Sequence, residues 1–341
     1  TLSLLARYTM DCIVSCCFGI NANAMKSYGS ENTFMVMGES IFDTSIVRGF
    51  KMVCRSMWPG LFYALGLRLF DVRISAYFHK IFDEVTEYRR KSGFIRNDFV
   101  DHFMEWKMNR YLTCDSINNY KTKENNTFKL TVNDDLVIGV SLSLFGAGFE
   151  TTATTMTFIL YELSKNQQIQ DKVIEEVDSY LEKNNGVIDY ECVNKMPYLE
   201  ACLNETLRLY PIIGILTREV MDEYTLPSGL QLNVGDRIHI PVYHIQRNPS
   251  IYPDPEIFEP DRFLDDDRKK IKPFTFLPFG EGPRICIGLR FAKMMITDGF
   301  LTIFKNYRVA LADNTPMQMQ FKPSSFAIQS VEDIYLDFLP R

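Results

Sequence analysis

The sequence contains few of the residues that mark several common classes of functional site. Four of its 341 residues are histidines, and their positions show none of the spacings, such as HExxH, that hold a metal ion. The eight cysteines include no CxxC pair and no spacing typical of a disulfide framework, so we expect reduced cysteines in an intracellular protein. Lysine and arginine number 37 against 43 aspartates and glutamates, and this lack of a basic surplus argues against a nucleic-acid partner.

The sequence also lacks a long uninterrupted apolar run. The longest apolar stretch, Leu136 to Phe149, is too short to cross a bilayer and is flanked by Asp134, Asp135 and Glu150, which predicts a buried helix rather than a membrane anchor. The composition is 46% hydrophobic and 23% charged, which is typical of a globular chain with a large core. We therefore expect the function to lie in a pocket of a globular protein.

Hydrophobic periodicity predicts a mainly α fold with a small β region. Apolar residues recur every three or four positions in segments that predict helices over 1–18, 38–49, 74–92, 97–111, 131–164, 165–182 and 196–209. Later alternation predicts strands over 216–220, 231–234 and 237–242, followed by a proline-rich coil over 248–273 and a β-like tail from Tyr307. We expect residues 114–129 to be a solvated linker. The apolar segment 57–67 is interpreted as core or channel wall, with membrane contact as the alternative.

One cysteine lies in a glycine-rich turn that leads directly into a predicted helix. The segment from Pro278 to Gly288 reads PFGEGPRICIG, and residues 289–295 continue with helical periodicity. Gly280 and Gly282 permit the positive φ that a tight turn needs. Cys286 is therefore expected at a helix N-terminus, where backbone amides and the helix dipole favour an anionic sulfur. A thiolate is a ligand that a haem iron accepts.

This segment closely resembles the haem-ligand loop of the cytochrome P450 family of haem-thiolate monooxygenases. The family pattern is Phe-x-x-Gly-x-Arg-x-Cys-x-Gly, and it is matched here by Phe279, Gly282, Arg284, Cys286 and Gly288. The resemblance implies that these residues bind haem b and that the Cys286 thiolate is the axial iron ligand. The amino-acid sequence of the loop is most similar to that of the microsomal arthropod members of the family, which are associated with detoxification. A buried structural cysteine is the simpler alternative for an isolated residue.

A second motif places polar groups inside the long predicted helix. Residues 147–152 read AGFETT, and a threonine that bonds to the carbonyl four residues earlier loosens a helix locally. The motif resembles the oxygen-activation segment of the same family. That resemblance implies that Glu150 and Thr151 are catalytic residues that deliver protons through ordered water, and that Ala147 contacts the haem. A packing kink, with the polar groups bonded to backbone, is the alternative.

A third pattern concerns charges in an apolar helix. Glu205 and Arg208 are three residues apart, so both side chains leave one face of the predicted helix. The flanking leucines suggest burial, and buried charges need a complete set of partners. The pair and the later sequence Pro260-Asp261-Arg262-Phe263 resemble the Glu-x-x-Arg and Pro-x-Arg-Phe motifs of the family. By that resemblance Glu205, Arg208 and Arg262 form a structural triad behind the haem loop, whereas an unaccompanied pair would be a solvated surface pair.

The remaining site residues are predicted from the needs of a haem and of an apolar substrate. The two propionates need cations, and the family pattern implies Arg284 and Arg218 for this role. Substrate contacts are expected from apolar residues of the long helix, of the segment after the charged helix and of the tail, namely Phe145, Ile212, Ile213, Leu216 and Phe326. Ordinary core packing explains each of these hydrophobic residues equally well.

These expectations combine into one functional hypothesis. Residues 1–341 are interpreted as the C-terminal portion of one haem-thiolate monooxygenase catalytic domain, without its N-terminal membrane anchor and first helices. The full-length protein is expected on the cytosolic face of the endoplasmic reticulum membrane, attached through the missing N-terminal segment. It would oxidise small hydrophobic molecules such as xenobiotics, lipids or hormones, using dioxygen and electrons from NADPH. A flavoprotein reductase would deliver these electrons by docking near Arg290 and Lys293. A haem-thiolate isomerase or dehydratase and a non-catalytic haem-binding sensor are the alternatives.

Overall fold

The computed structural model describes residues 1–26, 32–42, 45–116, 119, 125–323, 325 and 327–341. These residues form two compact units. The amino-terminal unit comprises residues 6–150, and the carboxyl-terminal unit comprises residues 1–5 together with 151–341. The boundary falls within one long helix, Asp134–Lys165, which contributes about half of its residues to each unit.

The amino-terminal unit is built mainly from helices. They are α1 (Leu2–Phe18, from residue 6 onward), α2 (Thr33–Ile41), α3 (Ile46–Met57), α4 (Pro59–Ala64), α5 (Val72–Ser92), α6 (Phe99–Asn109) and the first half of α7 (Asp134–Lys165). The predicted helices over 1–18, 74–92, 97–111 and 131–164 are confirmed with small shifts of their ends. The single helix predicted over 38–49 is wrong, because α2 ends at Ile41 and the Ser45 side chain caps a new helix by accepting a hydrogen bond from the Arg48 amide.

An aromatic cluster fills the core of the amino-terminal unit. The Phe145 ring of α7 lies 4.9 Å from the Phe78 ring of α5 and 6.3 Å from the Phe34 ring of α2, measured between ring centroids. Phe149, one turn further along α7, stacks on Phe145 with centroids 6.4 Å apart. Such offset and edge-to-face pairs stabilise a core beyond the area that they bury.

The predicted solvated linker contains strands at both ends. β1 (Tyr111–Asp115) and β2 (Thr127–Thr131) pair antiparallel, with Tyr111 opposite Thr131. The prediction of a linker over 114–129 is therefore wrong at its ends, and residues 117, 118 and 120–124 lie outside the described residues. Both strands do alternate polar and apolar residues, as Thr127 to Thr131 show, but each is only five residues long and largely exposed. They flank a segment rich in asparagine and lysine, which is typical of a linker.

Of the two roles predicted for residues 57–67, core or channel wall, the core role is wrong for most of the segment. The Phe62 side chain is buried, whereas the side chains of Trp58, Leu61, Tyr63 and Leu65 are each more than half exposed. The exposed side chains of this segment and of α3 form what we call the α3–α4 apolar surface: Ile46, Val47, Phe50, Met52, Val53, Met57, Trp58, Leu61, Tyr63 and Leu65. Between residues 46 and 73 the sequence has five cationic side chains and one acidic side chain, Asp71.

The carboxyl-terminal unit combines helices with short two-stranded sheets. Its helices are the second half of α7, α8 (Gln167–Lys183), α9 (Pro197–Leu209), α10 (Val242–Ile245), α11 (Asp265–Lys270) and α12 (Leu289–Asn306). Its strands are β3 (Leu216–Glu219), β4 (Tyr224–Thr225), β5 (Gln231–Leu232), β6 (Arg237–Ile240), β7 (Tyr307–Leu311) and β8 (Leu336–Pro340). β3 pairs with β6, β4 with β5 and β7 with β8, all antiparallel. The predicted class, mainly α with a small β region, is confirmed.

The second half of α7 lies in the core of the carboxyl-terminal unit. Nearly every side chain from Ala153 to Leu163 is buried, and the Tyr161 hydroxyl donates to the carbonyls of Pro316 and Met317 at 3.0 and 2.8 Å. Among the described residues, α7 is the helix that is long and apolar enough to cross a membrane, and half of its most apolar window is buried inside the protein. A helix that is apolar on nearly all sides is typical of a protein core as well as of a membrane span.

Candidate functional site

Backbone geometry and a backbone hydrogen bond set the shape of the cysteine loop. Gly280 and Gly282 both have a φ of +73°, and the Cys286 amide donates to the Phe279 carbonyl at 2.8 Å, which closes the loop. Positive φ at both glycines is the conformation that side chains rarely tolerate. The Cys286 carbonyl accepts a longer bond, 3.4 Å, from the amide of Leu289, the first residue of α12. The predicted position of the cysteine, directly before a helix, is therefore confirmed.

The surface of this loop fits a flat apolar group with anionic edges. The Cys286 thiol is exposed, and beside it Ile285 and Ile287 expose 47% and 92% of their side chains. A side chain on Gly282 would meet nothing within 4 Å, so the loop presents open backbone rather than packed atoms. Arg284 is exposed, and in the described part of the chain it has no hydrogen-bond or ion-pair partner. A thiol ligand, apolar neighbours and an unpaired cation are the groups that a haem and its propionate need.

Gln246 ties the cysteine loop to the charged helix α9. Its side chain is fully buried, and its Nε2 donates to the carbonyls of Leu207 and Arg208 at 2.9 and 3.1 Å. Its Oε1 accepts from the amide of Leu277, the residue that precedes the loop, at 2.8 Å. One amide group therefore satisfies the last turn of α9 and fixes the start of the loop.

Glu205 and Arg208 form a fully buried, bidentate ion pair. Arg208 Nε and Nη2 donate to the two carboxylate oxygens of Glu205 at 2.7 and 2.8 Å, and neither side chain is exposed. Arg208 also donates to the carbonyls of Gln246 and Ile257 at 2.9 and 3.2 Å, so its charge is fully partnered. Burial raises the pKa of Glu205, although hydrogen bonds from Arg208 act in the opposite direction. Such a set of partners is what a buried pair requires.

Arg262 lies beside this pair, as the predicted triad requires. Its Nε is 3.5 Å from Glu205 Oε1, which is an ion-pair distance without a hydrogen bond, and its Nη2 lies 2.8 Å from Glu259 Oε2. The Glu259 amide completes the contacts by donating to Glu205 Oε1 at 3.0 Å. The structure thus brings Glu205, Arg208 and Arg262 together, while their supporting role remains a prediction.

The AGFETT motif lies in the middle of α7, which is helical throughout the motif. A Cβ atom on Gly148 would lie 2.5 Å from the Ile13 Cδ1 of α1, so glycine is required here for close packing of the two helices. The buried Thr9 hydroxyl of α1 lies 3.1 Å from the Phe149 carbonyl and donates to it. Glu150 is 9% exposed and Thr151 is partly exposed, so both predicted catalytic side chains lie at the edge of the core. Ala147 is exposed.

The cationic side chains predicted to bind a propionate or a reductase differ in the hydrogen bonds and ion pairs that they already make within the protein. Arg218 is partly exposed on β3, and its Nη1 donates to the Thr217 carbonyl at 2.9 Å. Lys293, which we expected to offer its charge to a reductase, instead forms an ion pair with Glu200 at 2.6 Å and is largely buried. Arg290 is exposed on α12. Of the two predicted docking cations, only Arg290 presents its charge freely at the surface.

The predicted substrate residues occupy different environments. Ile212 is buried, Ile213 and Leu216 are partly exposed, and the Ile212 carbonyl accepts from the Ile328 amide of the tail at 2.8 Å, so two of the three predicted substrate segments are neighbours. Phe145 is fully enclosed by the aromatic core of the amino-terminal unit. Phe326 lies outside the described residues.

Sequence reasoning missed two residues that support these motifs. Thr9 and Gln246 are single neutral polar side chains, and neither belongs to a recognisable motif. The only signal available is a polar residue inside an otherwise apolar helical pattern, which is weak because most threonines and glutamines are exposed.

Comparison of the sequence with those of known proteins identifies the family of this chain. A sequence profile described as cytochrome P450 matches residues 1–336. Among similar proteins are probable cytochrome P450 6a13 of Drosophila melanogaster, 35% identical over 334 residues, and cytochrome P450 6k1 of Blattella germanica, 32% identical over 342 residues. Cytochrome P450 6A1 of Musca domestica is 35% identical over 342 residues. Each alignment covers 98% of this chain and 64% of the relative, so the chain spans less than two thirds of their length. The chain belongs to the cytochrome P450 family.

Proposed function

We propose that the protein is a haem-thiolate monooxygenase that oxidises small hydrophobic molecules. The observation that carries the proposal is the cysteine loop, in which an exposed thiol lies between exposed isoleucines and beside an unpaired arginine. Haem, when bound, supplies the chemistry of dioxygen activation, and the protein supplies binding, orientation and protons. The Cys286 thiolate would ligate the haem iron, and Phe279, Gly282, Gly288 and Ala147 would help to hold the haem.

Two arginines would hold the propionates, and the buried pair of α9 would hold the loop. The guanidinium groups of Arg284 and Arg218 suit charge-assisted bonds to carboxylates. The Glu205–Arg208 pair reaches the loop through Gln246, whose side chain bonds to both α9 and Leu277. We therefore assign Glu205, Arg208 and Arg262 a structural role in keeping Cys286 in a fixed position.

Glu150 and Thr151 would manage the protons of the reaction. A carboxylate can exchange a proton with water, and a threonine hydroxyl can both donate and accept, so adjacent groups of these two kinds can hold an ordered water and pass a proton through it. Apolar side chains at Ile212, Ile213, Leu216 and Phe326 would orient the substrate and exclude bulk water, whereas Phe145 is enclosed in the aromatic core. Apolar walls of this kind favour a small hydrophobic substrate such as a xenobiotic, a lipid or a hormone.

Electrons would come from NADPH through a flavoprotein reductase. The exposed charge of Arg290 supports docking on the α12 side of the cysteine loop. Lys293 would contribute less, because Glu200 already neutralises it. Arg290→Ala should slow reductase-driven turnover at low ionic strength and leave peroxide-driven turnover unchanged. If Arg290→Ala turns over as fast as the unaltered protein with reductase at low ionic strength, this docking site is wrong.

The α3–α4 apolar surface supports membrane association. It exposes many large apolar side chains within a segment that has five cations, and exposed apolar side chains with nearby cations are what a lipid surface with anionic headgroups binds. We infer that this surface rests on the cytosolic face of the endoplasmic reticulum membrane, in addition to any N-terminal anchor of the full-length protein.

Reconstituted turnover tests the proposed reaction against its alternatives. With reductase, NADPH and a panel of small apolar compounds, the full-length gene product should consume dioxygen and form a hydroxylated or epoxidised product. Thr151→Ala should divert that consumption toward peroxide. A haem-thiolate isomerase or dehydratase would convert a peroxide substrate without NADPH, and a sensor protein would bind haem without forming product. Either result would refute the monooxygenase proposal.

A further inference from the structure

Thr154 carries a buried hydroxyl without a protein partner. The residue is 3% exposed, and among the described residues its Oγ1 makes no hydrogen bond. Buried polar groups are nearly always bonded to protein or to ordered water, so a hydroxyl of this kind requires an explanation.

Two neighbouring threonines of the same helix show what Thr154 does not do. Thr155 and Thr157 each donate to the carbonyl four residues earlier, those of Thr151 and Ala153, at 2.8 Å. The equivalent acceptor for Thr154 is the Glu150 carbonyl. The Thr154 side chain does not make this bond, so its hydroxyl points toward something other than its own helix backbone.

Thr154 lies on the same side of α7 as Glu150 and Thr151 of the AGFETT motif. Residues three and four positions apart lie on one side of an α-helix, so Ala147, Glu150, Thr151 and Thr154 form one line along α7. The hydroxyl of Thr154 therefore lies one turn beyond that of Thr151. Of the residues on this line, three carry groups that can bond to water.

We propose that Thr154 is a positioning residue that holds an ordered water next to Thr151, one turn further along α7. A hydroxyl can donate one hydrogen bond and accept others, and a buried water bonds to two to four polar partners, of which Thr154 would be one. Protons would pass through the water, and Thr154 would keep its own proton. The direction of transfer rests on the proposed function.

The test compares variants of the full-length gene product that differ in one hydroxyl. Thr154→Val removes the hydroxyl and keeps the shape, Thr154→Ser keeps the hydroxyl, and Thr157→Val removes a hydroxyl that is bonded to the Ala153 carbonyl of its own helix. One measurement is peroxide released per NADPH consumed. The other is the carbon monoxide stretching frequency of the reduced protein by infrared spectroscopy in H₂O and D₂O, which responds to hydrogen bonds near the ligand without turnover.

The proposal expects a specific pattern. Thr154→Val should release several-fold more peroxide and shift the carbon monoxide band, whereas Thr154→Ser and Thr157→Val should resemble the unaltered protein. The proposal is overturned if Thr154→Val changes neither measurement while Thr151→Ala changes both, because the hydroxyl then only packs. If Thr154→Val fails to fold, Thr154→Ala is judged by the same two measurements. Failure of the proposed function looks different, since the unaltered protein would then lack the spectrum of a thiolate-ligated haem.

Discussion

Replacing Gln246 by methionine should loosen the cysteine loop from a distance. Methionine matches glutamine in length but cannot donate or accept the bonds that the side-chain amide makes. The substitution removes the bonds to the Leu207 and Arg208 carbonyls and the bond from the Leu277 amide. At about 0.5–1.5 kcal/mol for each of the three bonds, the free energy of unfolding should fall by roughly 1.5–4.5 kcal/mol.

The loss of these hydrogen bonds should also affect the position of the Cys286 thiol. The Leu277 amide lies immediately before the loop, and without its acceptor the start of the loop is no longer fixed to α9. We expect a smaller fraction of Gln246→Met protein to show the red-shifted Soret band of a thiolate-ligated haem in the reduced, carbon monoxide-bound state. The stability change is measured by urea unfolding followed by circular dichroism.

The chain contains a matched control at Gln170. Its fully buried side chain donates to the carbonyls of Leu163 and Val309 at 3.0 and 2.9 Å and accepts from the Val309 amide at 2.9 Å, far along the chain from the loop. Gln170→Met should lower stability by a similar amount and leave the spectrum of the folded protein unchanged. Equal spectral loss in both variants, or none in Gln246→Met, would refute the link between Gln246 and the loop.

Three further predictions follow from other parts of the structure. Gly148→Ala should lower the free energy of unfolding by about 1–3 kcal/mol, because the new methyl group would lie 2.5 Å from an isoleucine of α1. The control Gly139→Ala, in the same helix, meets nothing within 4 Å and should raise it by about 0.5–1 kcal/mol. Melting temperatures that change in the same direction in both variants would contradict this. Burial raises the pKa of Glu176 above 4.5, so the folded state holds this proton more tightly than the unfolded state does. The free energy of unfolding should therefore fall as the pH rises from 4.5 through the folded-state pKa. If Glu176→Gln leaves the slope of stability against pH in this range unchanged, the assignment to Glu176 is wrong. Trp58→Ser should weaken binding to anionic lipid vesicles on the order of tenfold in a flotation assay, whereas Ile257→Ser, at an equally exposed position, should not.

The sequence predicted the fold best where one face of a helix is buried. The long helix α7 was recognised because its apolar residues persist for many turns. The break between α2 and α3 depends on the cap at Ser45, and a single serine is a weak signal within an apolar pattern. The β1–β2 hairpin was missed because its strands are mostly exposed, alternate over only five residues each and flank a segment rich in asparagine and lysine.

The candidate site was predictable where its residues form linear motifs. Cys286 and the Glu205–Arg208 pair have fixed spacings, and the structure gives both the local geometry that those spacings imply. The contacts of Gln246 and the pairing of Lys293 with Glu200 depend on residues that are 31 to 93 positions apart in the chain. Such long-range contacts are set by tertiary packing, which one sequence without its folded structure does not reveal.

The reduced, carbon monoxide-bound absorption spectrum of the full-length gene product tests the central claim most directly. The exposed Cys286 thiol should ligate haem and give the red-shifted Soret band of a thiolate complex, and Cys286→Ser should lose that band while keeping the circular dichroism of the folded protein. A full-length protein that binds haem without this band, or a Cys286→Ser protein that retains it, would contradict the assignment of Cys286 as the iron ligand.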